Sequence, residues 1–225
     1  MAGLEGCDRT GRTNRANAEV LDDSLGVRVK MTQSHRFGGM DQELVVRAQH
    51  GDQRAFEALT ANHHPRLFRV AHGILGDPHL AEDATQQAFL DIWRNIPRLR
   101  DPDKFEGWSY RLLVHACYAE ARHKPDWVDL DRVPVGQEPI TDEAYGIVLE
   151  RDRLEHAFRR LSLDHRAVIV LRYLLDMAPE QVAETLGIPR RTVYSRLKRA
   201  MPALRAALEA DARRVAAEST SAGAM

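Results

Sequence analysis

The sequence predicts an all-α protein in which two small helical domains are joined by an acidic linker and the second domain ends in a helix-turn-helix. Apolar residues recur three or four positions apart over residues 40–124 and again over residues 144–210, the spacing of amphipathic helices. Residues 125–143 contain three prolines, several acids and no such period, which is typical of a linker. A disordered extension (1–39) and a C-terminal tail (211–225) are predicted to flank the two domains.

The composition excludes several classes of protein. The chain has 225 residues, of which 44% are hydrophobic, and no run approaches the roughly 18 apolar residues that a membrane span needs. The N-terminal segment is polar where a secretory signal needs an apolar run. The two cysteines, Cys7 and Cys117, lie far apart and suit a reducing compartment. We therefore expect a cytoplasmic protein that does not insert into a membrane.

The first domain is predicted to contain about four helices, beginning near Asp41. A break at residues 76–78 ends one helix and starts the next, with Asp77 as the N-cap and a proline at the first helical position. The next helix carries its large apolar side chains on one stripe: Phe89, Ile92, Trp93 and Ile96. After a loop at residues 98–103, the last helix is predicted over Phe105–His123.

Charge is distributed unevenly along the chain, although the net charge is only −1. Residues 189–205 include six basic residues and no acid, whereas residues 125–150 include seven acids and one base. This asymmetry favours a C-terminal end that binds nucleic acid, and a solvated charged face is the alternative.

The final helix pair carries the clearest functional signal. Helices are predicted over about Pro179–Leu186 and Pro189–Leu208, and Gly187 permits the tight turn of a helix-turn-helix. On the second helix, at about 100° per residue, one stripe is apolar: Val193, Leu197, Ala200 and Leu204. The opposite face carries cations and a short hydrogen-bonding side chain: Arg191, Ser195, Lys198 and Arg199. That combination suits a DNA major groove, with an ordinary basic amphipathic helix as the alternative. Pro202 is expected to kink or end this helix.

A second face, on the helix after Asp77, indicates a protein partner. Its outward residues are Asp83, Gln87, Leu90 and Arg94. A leucine among polar groups on an exposed stripe suits a protein-binding surface, and the alternative is a lone exposed leucine, which is common.

Together these motifs resemble an extracytoplasmic-function (ECF) sigma factor of bacterial RNA polymerase. The pattern Ala-Glu-Asp-x-x-Gln-x-x-Phe over 81–89, followed by Trp93, Trp108 and Tyr110-Arg111, is similar to region two of that family. The segments over 161–173, 180–189 and 192–200 are similar to its region four. The resemblance spans about 41–124 and 144–208, and it implies a promoter-specificity subunit rather than an enzyme.

The resemblance also implies a role for each matching residue. Binding to core polymerase is implied for Asp83, Gln86, Gln87, Leu90 and Arg94. Reading and opening the minus-ten promoter element is implied for Arg98, Arg100, Lys104, Trp108, Arg111, His115 and Arg122. Contact with the minus-thirty-five element is implied for Arg166, Arg172, Arg190, Arg191, Thr192, Tyr194, Ser195, Arg196, Lys198 and Arg199. Such proteins often have an anti-sigma partner. The sequence departs from the family at His115, where asparagine is common, and at Ala119, where aspartate is common.

Two other classes of function are alternatives. A free-standing helix-turn-helix regulator would bind duplex DNA without polymerase. A metal hydrolase would use histidines such as His63, His64, His72 and His79, but their spacing repeats no ligand pattern and no cysteine joins them. No glycine-rich phosphate loop or supported catalytic set is present either, so we expect no metal, no cofactor and no catalytic residue.

Overall fold

The structure is a computed structural model that describes residues 19–22, 27–30, 39–123 and 153–222. Its α-helices are α1 (Gly39–Gln49), α2 (Gln53–Leu75), α3 (Pro78–Asn95), α4 (Phe105–His123), α5 (153–159), α6 (Leu163–Ile169), α7 (Pro179–Leu186) and α8 (Arg190–Ala222). Short 3₁₀ turns occupy Ile96–Arg98 and Pro102–Lys104, and a π-helical turn occupies Val170–Leu174. The predicted linker, residues 125–143, lies outside the described residues.

The chain divides into two compact units, Met1–Ser34 and His35–Met225. In the first unit, strands β1 (Glu19–Asp22) and β2 (Val27–Lys30) pair antiparallel, with Val20 opposite Val29. The expectation of disorder over 1–39 is therefore wrong for these eight residues. Because Val20, Val27 and Val29 are β-branched, they favour an extended pair that helical periodicity could not reveal.

In the second unit every regular element that the structure describes is helical, which confirms the predicted fold class. Helices α2, α3 and α4 surround a core that includes Leu59, Ile74, Ile92, Phe105 and Leu113, all nearly inaccessible to solvent. We refer to this part, α1–α4, as the first helical region.

The helix boundaries of the first helical region follow local chemistry. Gly76 ends α2 in the left-handed conformation at φ 70°, and Asp77 then caps α3 by accepting hydrogen bonds from the amides of His79 and Leu80 at 2.9 and 3.2 Å. Helix α4 begins and ends at the predicted residues. In this part of the chain, capping residues predict the helix ends well.

The second helical region, α5–α8, contains the predicted helix-turn-helix. Helix α7 ends at Gly187, which is left-handed at φ 65°, and the amide of Ile188 donates to the carbonyl of Ala183 at 3.0 Å. The inner faces of α7 and α8 meet through Val182 and Val193, both fully buried. Helix-turn-helix geometry is thus confirmed for this segment.

Helix α8 does not end near Leu208 as expected, because it continues through Pro202 to Ala222. Alanine-rich sequence after Pro202 favours helix, and Asp211 is buried where it forms ion pairs with Arg160 at 3.2 Å and His156 at 3.8 Å. The predicted C-terminal tail over 211–225 is therefore helical through residue 222.

The two helical regions pack directly against each other and share one hydrophobic core. Helix α2 contacts α6 and the π-helical turn, while α4 contacts α7. At the closest approach, a Cβ placed on Gly73 would lie 2.9 Å from Val170 Cγ2, so only a glycine lets α2 come this near. Within the described residues, no helix combines the length and apolar character needed to cross a bilayer.

Candidate nucleic-acid and protein interfaces

The outward face of α8 presents cations that are free to contact another molecule. Arg191, Lys198 and Arg199 are exposed, and none forms an ion pair with any residue that the structure describes. Ser195 on the same face is exposed, and its hydroxyl donates to the carbonyl of Thr192 at 3.0 Å. Since the opposite stripe is buried in the core, the turn and the packing hold this face toward solvent.

Arg190 and Tyr194 form a second polar pair at the start of α8. The guanidinium of Arg190 lies 5.4 Å from the centroid of the Tyr194 ring and donates to its hydroxyl at 3.1 Å. Arg190 also forms an ion pair with Glu180 of α7 at 2.8 Å. The hydrogen bond to Tyr194 and the charge of Glu180 raise the pKa of Arg190. These contacts orient both side chains at the rim of the cationic face.

Two of the arginines predicted to contact the minus-thirty-five element are instead used inside the protein. Arg166 is largely buried, and its Nη1 donates to the carbonyl of Leu75 at the end of α2 at 3.0 Å. Burial, with the nearby charge of Arg159, lowers the pKa of Arg166. Arg172 donates to Asp176 at 3.3 Å and to the carbonyl of Met177 at 3.4 Å. In this arrangement Arg166 caps a helix and Arg172 braces a turn, and the contact of either residue with DNA stays a prediction.

A third predicted DNA contact, Arg196, lies at the junction between the two helical regions. Its Nη2 forms an ion pair with Asp164 Oδ2 at 2.7 Å, and the hydroxyl of Tyr118 on α4 donates to Asp164 Oδ1, also at 2.7 Å. Burial and the carboxylate of Asp164 raise the pKa of Tyr118. We call Tyr118, Asp164 and Arg196 the junction triad. In this arrangement Arg196 is committed to the junction rather than to the exposed face of α8.

The predicted polymerase-binding residues lie along α3. Asp83, Gln86, Leu90 and Arg94 are exposed, while Gln87 is half-buried and donates to Asp91 at 3.1 Å. Leu90 is 50% exposed, so the stripe has an apolar centre within a polar surround. An apolar centre inside a polar rim is the usual composition of a protein-binding patch.

An apolar neighbour of this stripe differs from the sequence prediction. Trp93 is predicted on the inward stripe of α3, but it is 38% exposed and its ring lies 4.7 Å from that of Phe56. Val46 on α1 is similarly exposed, at 39%. The signal was available, because Trp93 lies only about 60° around the helix from Leu90 and so falls at the edge of the apolar stripe.

The predicted minus-ten residues lie on α4 and the segment before it. Those with exposed side chains are Arg98, Arg100, Lys104, Arg111, His115 and Arg122. Trp108 is half-buried, with its ring 6.0 Å from Phe105. At about 100° per residue, Trp108, Arg111, His115 and Arg122 fall within about 60° of one another. An indole beside cations on one helix face can stack a base while neutralising the backbone.

A network of ionisable side chains crosses the first helical region. Arg66 forms an ion pair with Glu106 at 2.6 Å, and its guanidinium lies 5.6 Å from the Tyr110 ring centroid. Burial raises the pKa of Glu106 and lowers the pKa of His63. His63 and His64 each lie near a separate carboxylate, and the described residues contain no group of three potential metal ligands.

Comparison with known proteins identifies both helical regions. Residues 59–125 match the family model for Sigma-70 region 2, and residues 151–204 match the model for Sigma-70, region 4. The chain is 32% identical over 174 residues to the ECF RNA polymerase sigma factor SigM of Mycobacterium tuberculosis, covering 73% of this chain and 84% of that protein.

Other relatives agree. Over 166 residues the chain is 31% identical to the ECF RNA polymerase sigma factor SigE of Mycolicibacterium smegmatis, covering 69% of this chain and 63% of that protein. The solved structure of CnrH in complex with the cytosolic domain of CnrY matches with a TM-score of 0.57 and 26% identity, covering 76% of this chain and 99% of that one. The chain belongs to the extracytoplasmic-function sigma factors of bacterial RNA polymerase.

Proposed function

We propose that this chain directs core RNA polymerase to specific promoters and that its three exposed surfaces divide that work. The α3 stripe binds the polymerase, the face of α4 with the preceding loop binds the minus-ten element, and α8 binds the minus-thirty-five element. The observation that carries this proposal is the row of cations on the outward face of a helix-turn-helix that form no ion pair with any described residue, in a chain with both sigma regions in order. The chemistry is binding alone, and no catalytic role is assigned to any residue.

The side chains of α8 suit a DNA groove. A guanidinium can donate two hydrogen bonds to the O6 and N7 of guanine, while Lys198 and Arg199 can neutralise phosphates on either side. Arg191 is the strongest candidate for base reading, because it lies at the N-terminal end of α8, the end that enters the groove in helix-turn-helix proteins.

Promoter binding requires the two helical regions to separate. By their names the two promoter elements lie about 25 base pairs apart, roughly 85 Å at 3.4 Å per base pair. In the compact unit, α4 and α8 instead meet through the junction triad, where hydrogen bonds of 2.7 Å join them to the same carboxylate. The compact arrangement is therefore a resting form, and binding both elements must break these contacts.

A protein partner that stabilises the resting form is consistent with this proposal. The solved relatives include complexes of CnrH with the cytosolic domain of CnrY and of RpoE with the anti-sigma factor NepR from Bartonella quintana. We propose a partner of that kind for this chain, and we propose that the protein acts in the cytoplasm, where RNA polymerase is found.

Two substitutions separate the surfaces. Asp83→Ala combined with Gln87→Ala should abolish association with core polymerase in a pull-down, with Glu184→Ala as a control that removes an exposed acid elsewhere. Arg191→Ala should preserve association but lower run-off transcription from the matching promoter by an amount equivalent to roughly 1–3 kcal/mol, the value of a bidentate base contact. Arg205→Ala, an exposed cation further along α8, is its matched control.

Three results would contradict the assignment. Normal polymerase association by the Asp83/Gln87 variant would remove α3 from the interface. Normal transcription by Arg191→Ala would remove that residue from promoter recognition. Tight, sequence-specific binding of the wild type to duplex DNA without polymerase would favour a free-standing helix-turn-helix regulator.

A further inference from the structure

A cavity of about 320 Å³ lies between the C-terminal half of α2 and the elements of the second helical region. Its walls come from both regions, with Arg69 and His72 on α2 and Phe158 and Arg159 on α5. Its volume falls at the lower end of the range typical of small-molecule sites.

Positive charge accumulates around this cavity. Arg69, Arg159 and Arg166 line it together with His72, and Glu155 is the one carboxylate in the lining. None of the three arginines forms an ion pair with a residue in the described part of the chain, whereas arginines elsewhere in the same regions, such as Arg66, do so. Arg69 and Arg159 are exposed, whereas Arg166 is partly buried beside Arg159, whose charge disfavours that of Arg166, and a bound anion would relieve this repulsion.

Capping of α2 explains the presence of only one of these three arginines at the cavity. Arg166 caps the end of α2 through Leu75, where a positive charge also interacts favourably with the helix dipole. Its Nε is nevertheless buried without a hydrogen-bond partner among the described residues. Arg69 and Arg159 make no such capping bond within those residues, so capping leaves their presence at the cavity unexplained.

The remaining lining is apolar. Leu154, Phe158, Val170 and Leu174 contribute hydrophobic surface, and two of them, Leu154 and Leu174, are each 47% exposed. A cavity with a cationic side and an apolar, partly aromatic side is complementary to a ligand that has one anionic end and one apolar or aromatic end. Three guanidinium groups carry more positive charge than one carboxylate balances, and a phosphate group can accept paired hydrogen bonds from the planar fork of each.

We propose that this cavity binds a small phosphorylated molecule with an aromatic or apolar part, for which a nucleoside diphosphate is the appropriate probe. The phosphates contact Arg69, Arg159 and Arg166, while the ring packs against Phe158 and Leu154. Because the walls belong to both helical regions, the ligand binds only the compact arrangement and stabilises it. This second step rests on the proposed function, in which polymerase and promoter require separated regions. By linkage, ligand and polymerase then weaken each other's binding by the same factor.

Binding is tested by isothermal titration calorimetry of the full chain with guanosine diphosphate and, separately, with inorganic pyrophosphate. We expect the double variant Arg69→Gln/Arg159→Gln to raise the Kd for guanosine diphosphate at least tenfold. The control Arg54→Gln/Arg205→Gln removes the same charge from exposed positions on α2 and α8, outside the cavity lining, and should stay within twofold of wild type. Pyrophosphate should bind at least tenfold more weakly than the nucleotide.

Each other outcome overturns a stated part of the proposal. No nucleotide binding at millimolar concentration, or equal losses in both double variants, removes the cavity as a phosphate site. Equal affinity for the two probes removes the aromatic part of the ligand.

Coupling to polymerase is tested in a separate titration of core polymerase with and without guanosine diphosphate. The nucleotide should raise the polymerase concentration needed for half-binding at least threefold for wild type and leave the cavity variant unchanged. No difference for wild type would refute the coupling while leaving the site intact. Failure of the nucleotide-free chain to bind polymerase would instead count against the proposed function.

Discussion

The close approach of Gly73 to Val170 gives a direct test of whether the two helical regions pack together in solution. An alanine at position 73 would place its Cβ 2.9 Å from Val170 Cγ2 and 3.6 Å from Cγ1, closer than ordinary contact. Overpacking of this kind typically costs about 1–3 kcal/mol. Replacing glycine by alanine inside a helix gains about 0.5–1 kcal/mol. We therefore expect Gly73→Ala to lower the free energy of unfolding by about 1 kcal/mol, measured by urea denaturation.

Gly107→Ala is the matched control, because Gly107 also lies in a helix but nothing would contact its added Cβ within 4 Å. This variant should be stabilised by about 0.5–1 kcal/mol. The difference between the two variants then isolates the clash with Val170. In the double variant Gly73→Ala/Val170→Ala the clash disappears, so the two substitutions should be non-additive by about 1–3 kcal/mol. If Gly73→Ala stabilises the protein as much as Gly107→Ala, the two regions do not pack as described.

Further predictions concern the cap of α3, the Cys117 thiol and the N-terminal unit. Asp77→Ala should lower the free energy of unfolding by about 1 kcal/mol in a urea titration, because two amides of α3 lose their acceptor, whereas Asp77→Ser should retain most of the stability. Burial raises the pKa of the Cys117 thiol to about 12, so in a Cys7→Ser background a thiol reagent should label it slowly at pH 8 unless urea is added. Above about pH 9 the thiol of the unfolded chain ionises, near its ordinary pKa of 9.0, while the folded thiol stays protonated. The free energy of unfolding should therefore fall as the pH rises above about 9, and a Cys117→Ala variant should show a smaller fall. A chain starting at Met40 should support promoter-directed transcription near the full-length level, because Met1–Ser34 form a separate unit, and loss of polymerase binding on truncation would contradict this.

Local chemistry made most helix boundaries predictable. Asp77, which precedes a proline, starts a helix, and Gly187, which precedes Ile188, ends one. Both act through hydrogen bonds to residues close in sequence. The inward and outward faces of α8 are predicted equally well, because Val193 and Lys198 lie about 140° apart around any α-helix.

Contacts between distant parts of the chain were not predictable in the same way. An arginine such as Arg166 is a typical phosphate contact. It caps a helix only because the fold brings the carbonyl of Leu75, 91 residues earlier, within hydrogen-bond distance. Trp93 follows the spacing of the apolar residues and yet is exposed, because that spacing does not show which part of an apolar stripe a neighbouring element covers. Helix α8 continues past Pro202 in part because Asp211 forms an ion pair with Arg160, the residue that follows α5, and a local sequence pattern cannot contain such a contact.

The ion pair between Arg196 and Asp164 has a consequence for how promoter capture depends on salt. Each cation that neutralises a DNA phosphate normally releases counterions and steepens the fall of log K with log salt concentration by about 0.9. Arg196 is already neutralised by a carboxylate at 2.7 Å. If it moves to a phosphate when the regions separate, one ion pair replaces another, and the salt slope should fall about one unit short of the number of cationic contacts. Asp164→Asn should restore that unit. The salt slope then shows how many DNA-binding cations are already paired within the resting form.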